Sequence, residues 1–104
     1  MKKFIAERKL LYSLKGSDKR NDLVIRVGAP YLADENMMGF PVEEGVAGCP
    51  IEFDGLFDDF PDVMGTDTLQ ALYLASNVDS ILDKFRNKYD FYWPNGEPYN
   101  VKEK

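Results

Sequence analysis

The stretch that decides the fold is GTDTLQALYLASNVDSILDKF, residues 65–85. Apolar residues recur along it at spacings of three and four, which is the period of one face of an α-helix; they are Ala71, Ala75, Val78, Leu82 and Phe85. The stripe is widened, to about the breadth that packing on a sheet requires, by Leu72, Leu74 and Ile81. We therefore predict a helix near residues 67–88 that covers one face of a β-sheet.

The ends of this segment carry residue types that helix ends favour. Asp67 is the predicted N-cap, with Thr66 as the alternative, and Gln70 three residues later completes a capping-box pattern. The last turns hold three basic side chains, which suit the negative end of a helix dipole: Lys84, Arg86 and Lys88. The helix is expected to end between residues 87 and 90.

The first third of the chain alternates with the period of two that is typical of a half-buried strand. Residues 4–14 show this alternation with one lapse at Arg8, and residues 22–28 show it again after a polar turn cluster. A helical face also fits residues 4–14, but a strand signal follows directly, so we prefer a hairpin over residues 4–28.

Further strands are predicted near residues 49–56 and, with aromatic residues, near 90–94. Residues 28–48 have no sustained period and are predicted to be a long loop. The fold class is therefore α+β, with a small, mainly antiparallel sheet of three to four strands and one long helix packed on one face. Its length of 104 residues indicates a single domain over residues 1–104.

Several function classes are disfavoured by composition. The chain has no histidine, which excludes Ser-His-Asp, Cys-His and histidine–metal chemistry within it. Cys49 is the one cysteine, so no intramolecular disulfide forms, which suits a reducing cytoplasm. The opening MKKFIAERKLL is basic like a signal peptide, but charged residues at 7–9 interrupt any apolar core, and no run is long enough to span a membrane. We expect a cytoplasmic protein without a cofactor.

Charge is distributed unevenly along the chain. Residues 27–83 hold twelve acidic residues and no basic residue, whereas the segments on both sides of them are net basic. Four aspartates, Asp54, Asp58, Asp59 and Asp62, fall within nine residues. Carboxylate oxygens suit calcium or magnesium, but the spacing matches no calcium-binding loop. A solvated acidic loop is the preferred interpretation, and we predict no metal ligand and no catalytic residue.

A set of short motifs resembles a family of small bacterial domains of unknown function. The family pattern runs CP…GL…GxDxxQALxLA after an IAER strand, and the matching positions cover most of the chain: Ile5 to Arg8, Cys49-Pro50, Gly55-Leu56, Gly65, Asp67, Gln70 to Leu72, and Leu74-Ala75. The acidic segment around residues 32–47 is longer here than in that pattern. The resemblance implies bacterial origin and an α+β fold, and it brings no activity, cofactor or catalytic residue.

These features predict a non-enzymatic protein that acts by contact with a basic protein partner, as toxin-neutralising immunity proteins do with acidic surfaces. The expected contact residues are Glu43, Glu44, Asp58, Asp59 and Asp62. The alternative is a small-ligand or metal-binding domain, or a minor enzyme, built on the acidic loop at 54–62. Nucleic-acid binding is disfavoured by the overall charge of −5. The sequence leaves the oligomeric state open, and it leaves Met37, Met38 and Phe40 either as core residues or as a second contact site.

Overall fold

The computed structural model describes residues 3–34, 36, 39–41 and 44–99. Over these residues the chain is an α+β fold with two antiparallel sheets, which confirms the predicted class. The strands are β1 (Phe4–Leu14), β2 (Asn21–Gly28), β3 (Tyr31–Leu32), β4 (Ala47–Cys49), β5 (Ile51–Asp54), β6 (Val63–Gly65) and β7 (Tyr89–Tyr92). The helices are α1 (Thr68–Ser76) and α2 (Val78–Asp83).

The larger sheet has the strand order β5-β2-β1-β7. Its centre is the predicted hairpin of β1 and β2, in which Leu10 lies opposite Leu23 and Arg8 opposite Ile25. The alternation of the sequence places one face of this sheet in the core; the buried residues there include Leu10, Leu23, Ile25, Ile51, Phe53 and Phe91. The aromatic strand near 90–94 is also confirmed, since β7 pairs with the end of β1.

The prediction of a single sheet is wrong. A second sheet with the order β3-β4-β6 lies within segments that the sequence predicted as loop or as one strand. The predicted strand near 49–56 is divided at Pro50, because Cys49 ends β4 in one sheet and Ile51 begins β5 in the other. Both sheets meet there, where the backbone N–H of Gly28 donates to the Pro50 carbonyl oxygen at 2.8 Å.

The prediction of one long helix near 67–88 is also wrong, because the helix is broken at Asn77. This residue has φ −81° and ψ 63°, so it ends α1 and starts α2. Ala71 and Ala75 of α1 face β4 and β6, whereas Val78 of α2 borders Ile25 and Val27 of β2. The bend at Asn77 divides the apolar stripe, with Ala71 and Ala75 buried before it and Val78 and Leu82 buried after it.

After α2 the chain continues to β7 through tight turns. Residues 84–88 are closed mainly by hydrogen bonds between residues three apart, such as Phe85 N–H to the Leu82 carbonyl oxygen at 2.9 Å. This tighter winding is characteristic of short 3₁₀-type turns, and it explains why the apolar spacing continued past the end of the α-helix. Within the described part of the chain, no helix has the length and apolar character needed to cross a lipid bilayer.

Candidate functional site

The acidic loop, residues 54–62, is held from inside by an aromatic cluster. Phe57 and Phe60 of the loop lie against Phe53 of β5, with ring centroids 5.5 Å and 4.7 Å from it. The rings of Phe57 and Phe60 are 5.6 Å apart, and Phe57 also contacts Phe85 at 5.0 Å. Offset and edge-to-face ring pairs of this kind stabilise beyond their area of burial. The loop is therefore fixed to the core by its apolar residues.

The start of the loop is fixed by backbone contacts. Gly55 has φ +103°, a conformation that L side chains rarely adopt, and a Cβ added there would clash with the carbonyl oxygen of Asp22. The hydroxyl of Tyr12 donates to the Gly55 carbonyl oxygen at 2.6 Å. The amides of Leu56 and Phe57 both donate to the Phe53 carbonyl oxygen. Glycine at this position lets the chain turn tightly out of β5.

The acidic residues of the loop have different surroundings. Asp58 and Asp59 are exposed at the surface. Asp54 is exposed too, but it accepts a hydrogen bond from Nη1 of Arg26 at 3.0 Å. Asp62 is partly buried and accepts a hydrogen bond from the hydroxyl of Tyr31 at 2.5 Å. The predicted surface position is therefore confirmed for Asp58 and Asp59, whereas Asp62 bonds within the fold.

The remaining predicted contact residues lie elsewhere. Glu44 is exposed in a turn on the approach to β4, where neighbouring Gly45 lies close to the backbone of Thr66 at the start of α1. Glu43 falls outside the described residues, as do Met37 and Met38. Phe40, the third member of the predicted second contact site, is 55% exposed.

An open cleft of about 370 Å³ lies beside the acidic loop, lined in part by Glu52, Asp54 and Asp58. Arg26 neutralises two of these carboxylates, since its Nη1 lies 2.7 Å from Glu52 and 3.0 Å from Asp54. These hydrogen bonds, to Glu52 first, raise the pKa of Arg26 above its ordinary value. Among the residues that the structure describes, no three carboxylate, thiol or imidazole groups are arranged to hold a metal ion.

Cys49 lies in an environment that suppresses thiol chemistry. It is fully buried, and its Sγ donates to the Gly28 carbonyl oxygen at 3.2 Å. Burial, together with the nearby charge of Asp62, raises the pKa of the thiol. A raised pKa keeps the group protonated and poorly nucleophilic at neutral pH. Cys49 is therefore a small buried side chain at the end of β4.

One polar cluster was not predicted from the sequence. Tyr99, which is 1% exposed, accepts a hydrogen bond from Nη1 of Arg8 at 2.6 Å and donates one to Asp79 of α2. Its ring makes an edge contact with Trp93 at 4.8 Å. The signal in the sequence was the lapse at Arg8, a charged residue on the same face of β1 as the buried Leu10. The cluster fastens the end of the described chain to α2.

Comparison with models of protein families, with curated proteins and with solved structures found no match to this chain.

Proposed function

We propose that this chain is a small non-enzymatic protein that acts by contact with a basic protein partner, through the acidic surface around Asp58 and Asp59. The observation that carries the proposal is the aromatic cluster beneath the acidic loop. Because Phe57 and Phe60 are fixed against Phe53, the carboxylates between them are presented in a preset position. A preset surface loses little conformational entropy when it binds, which favours affinity.

The charge pattern also supports a basic partner. No basic residue occurs between residues 27 and 83, so the segment around the loop is acidic throughout. Opposite charges steer two proteins towards each other and raise the association rate. Immunity proteins that cover the cationic site of a nuclease toxin are a class with this requirement, and other acidic adaptors meet it equally. A bacterial, cytoplasmic setting is part of the same proposal.

Membership of the CP…GL…GxDxxQALxLA family is likewise a proposal, supported by the structural roles of the motif positions. Gly65 lies so close to α1 that an added Cβ would be 2.6 Å from the backbone nitrogen of Ala71. Cys49 and Pro50 join the two sheets, and Gly55 permits the turn out of β5. These four motif residues thus meet requirements of the fold.

A second candidate function is ligand or metal binding, or minor enzymatic activity, in the cleft beside the loop. The cleft favours it, because three acidic side chains border one space. Arg26 weighs against it, because that guanidinium already bonds Glu52 and Asp54. A rise of several degrees in melting temperature with millimolar calcium or magnesium would favour this candidate over protein contact.

The test begins with a basic protein recovered by affinity capture on this chain. The rate at which that protein associates is then measured for the wild type and for charge-reversed variants of this chain. The variant Asp58→Lys/Asp59→Lys should slow association by about tenfold or more at low salt, and the wild-type rate should fall as salt rises. The control Asp18→Lys/Glu97→Lys makes the same change of net charge at exposed sites outside the acidic segment. Association that is indifferent to salt and to reversal at residues 58 and 59 would contradict the proposal.

A further inference from the structure

An apolar groove lies on the helical side of the acidic loop. Its volume is about 520 Å³, and five apolar side chains line it: Phe60, Val63, Leu74, Ile81 and Phe85. The groove exists because α1 and α2 change direction at Asn77, which also borders it. Leu74 precedes the bend and Ile81 follows it, while Phe60 and Val63 belong to the segment that carries the acidic loop into β6.

The groove and the acidic cleft lie on two sides of one ring pair. Phe57 borders the cleft together with Asp58, and Phe60 borders the groove. Their rings are stacked 5.6 Å apart, so the charged surface passes directly into the apolar one. Interfaces commonly combine an apolar centre that supplies affinity with a charged rim that supplies orientation. The two features therefore have the arrangement of one contact surface.

The groove is open to solvent along α1. Leu74 is 39% exposed within it, whereas Tyr73 and Leu69, which are 65% and 75% exposed, lie outside the residues that line it. A contiguous apolar patch with a polar edge marks an interaction site on a small protein more often than an isolated exposed leucine does. The charge beside the groove decides which kind of partner it binds, since Asp58 and Asp59 are exposed on the loop that contains Phe60.

We propose that the groove binds the apolar face of an amphipathic, basic helical segment, whose lysine or arginine residues meet the acidic loop. This inference rests on the proposed function and names the form of its partner. An amphipathic helix binds an apolar groove through anchors spaced three and four residues apart. Lys84 is a basic residue that borders the groove, so its replacement by glutamine should strengthen the binding of a basic segment.

The probe is a synthetic helical peptide of about 18 residues, roughly five turns, with leucine on one face and lysine on the other. Two matched control peptides separate the contribution of the apolar face to binding from that of the basic face. One keeps the lysines and replaces leucine by serine, and the other keeps the leucines and replaces lysine by glutamate. The lysine–leucine peptide should bind at least about tenfold more tightly than either control, measured by titration calorimetry. Amide shifts in NMR spectra should map to Leu74, Ile81 and Phe85.

Variants of the protein separate the two parts of the surface. Leu74→Ser should weaken the lysine–leucine peptide by about tenfold and leave the lysine–serine peptide unaffected. The matched control is Leu69→Ser, on the more exposed part of the same helix and outside the groove, which should change neither affinity. Asp58→Lys/Asp59→Lys should weaken both lysine peptides, because it acts on charge alone.

The outcomes distinguish this inference from the function on which it rests. The two lysine peptides could bind with equal affinity, and both could lose that affinity when Asp58 and Asp59 are reversed. This result would overturn the proposal that the groove binds the segment, and it would leave the proposed acidic contact standing. Equal binding of the glutamate–leucine peptide, or no binding of any of the three at millimolar concentration, would contradict both. Self-association in sedimentation that Leu74→Ser abolishes would make the occupant a second copy of this chain and overturn the proposal.

Discussion

Two reciprocal hydrogen bonds fix the start of α1. The backbone N–H of Gln70 donates to Oδ1 of Asp67 at 2.7 Å, and Oε1 of Gln70 accepts from the N–H of Thr66 at 2.7 Å. The return bond falls one residue before the cap, where the usual capping box places it on the cap itself. Both partners are polar residues of the helix start, so local pattern alone was enough to predict them.

Removing this cap should destabilise the fold by a small, measurable amount. Asp67→Ala leaves the amide of Gln70 without its side-chain acceptor, and we expect a loss of about 1 kcal/mol in the free energy of unfolding from urea melts. Thr66→Ala is the control, because Thr66 contributes its backbone N–H to the cap. An unchanged melt for Asp67→Ala, with a loss of about 1 kcal/mol for Thr66→Ala, would move the cap to Thr66.

Two tyrosines should make stability depend on alkaline pH. The hydrogen bond to Asp62, followed by burial, raises the pKa of Tyr31 to about 12, and burial, followed by the bond to Asp79, raises the pKa of Tyr99 to about 12. In the unfolded chain a tyrosine titrates near 10. Below about pH 10 the two neutral phenols make their full contribution to the free energy of unfolding, and this contribution is lost as the pH rises from about 10 to about 12.

Urea melts across this pH range test the effect. Stability should fall with rising pH in the wild type, and the slope should be smaller in Tyr31→Phe, which has no hydroxyl to ionise. The Cys49 thiol also has a raised pKa, but it is present in both proteins, so the difference between their slopes reports on Tyr31. An identical slope in the two proteins would mean that Tyr31 ionises equally in the folded and unfolded chain.

Individual residues also show where local patterns stop being informative. Ser13 alternates with the core residue Leu10 along β1 and so falls on the other face, yet it is fully buried, and its hydroxyl lies 3.1 Å from that of Tyr92 on β7. Tyr99 is buried by contacts with Arg8 and Asp79, which are 91 and 20 residues away in sequence. Burial of this kind depends on which strands become neighbours, and alternation within one strand carries no information about that.

At the scale of the elements, strong periodicity predicted where a strand or helix lies better than it predicted whether that element is unbroken. The hairpin of β1 and β2 was predicted closely, because its alternation and its polar turn agree. The helix was predicted in place but unbroken. Ser76 and Asn77 are short polar residues inside the segment, and the Ser76 hydroxyl bonds the Tyr73 carbonyl oxygen at 3.1 Å. Such bonds compete with helix continuation, and this was the available signal for a break.

The small sheet was missed for a different reason. β3, β4 and β6 have only two or three residues each, too few to show any period. They form because β4 pairs with β3 on one side and with β6 on the other, and α1 packs on β4 and β6. Gly48 allows the ring of Tyr31 to cross over it, since an added Cβ would lie 2.5 Å from the Tyr31 hydroxyl. These pairings are long-range, and no local stretch contains them.

Substitution in α2 should show how much the broken helix contributes to the core. Leu82 is fully buried, so Leu82→Ala should lower the free energy of unfolding by about 2 to 5 kcal/mol, through lost burial and the cavity that remains. Leu69→Ala on α1 is the matched control, because Leu69 is 75% exposed and its loss should fall within about 0.5 kcal/mol. A cost below that level for Leu82→Ala would contradict its place in the core.

At the scale of the whole molecule, the acidic segment is divided by the fold. Some of its carboxylates are paired within the structure, as Glu52 and Asp54 are with Arg26 and Asp79 is with Tyr99. Asp58 and Asp59 project from the loop into solvent. The sequence predicted the excess of acid but not this division, because the partners come from strands and helices distant in the chain.

The proposed function depends on the acidic loop being held in place. The most direct measurement is the set of backbone ¹⁵N order parameters for residues 55–62, with the amides of β2 and β5 as the rigid reference. If the aromatic cluster fixes the loop as proposed, the order parameters of Leu56 to Phe60 should be about 0.8 or higher, close to those of the strands. Values below about 0.6 would show a mobile loop, and its carboxylates would then not form the preset surface on which the proposed function rests.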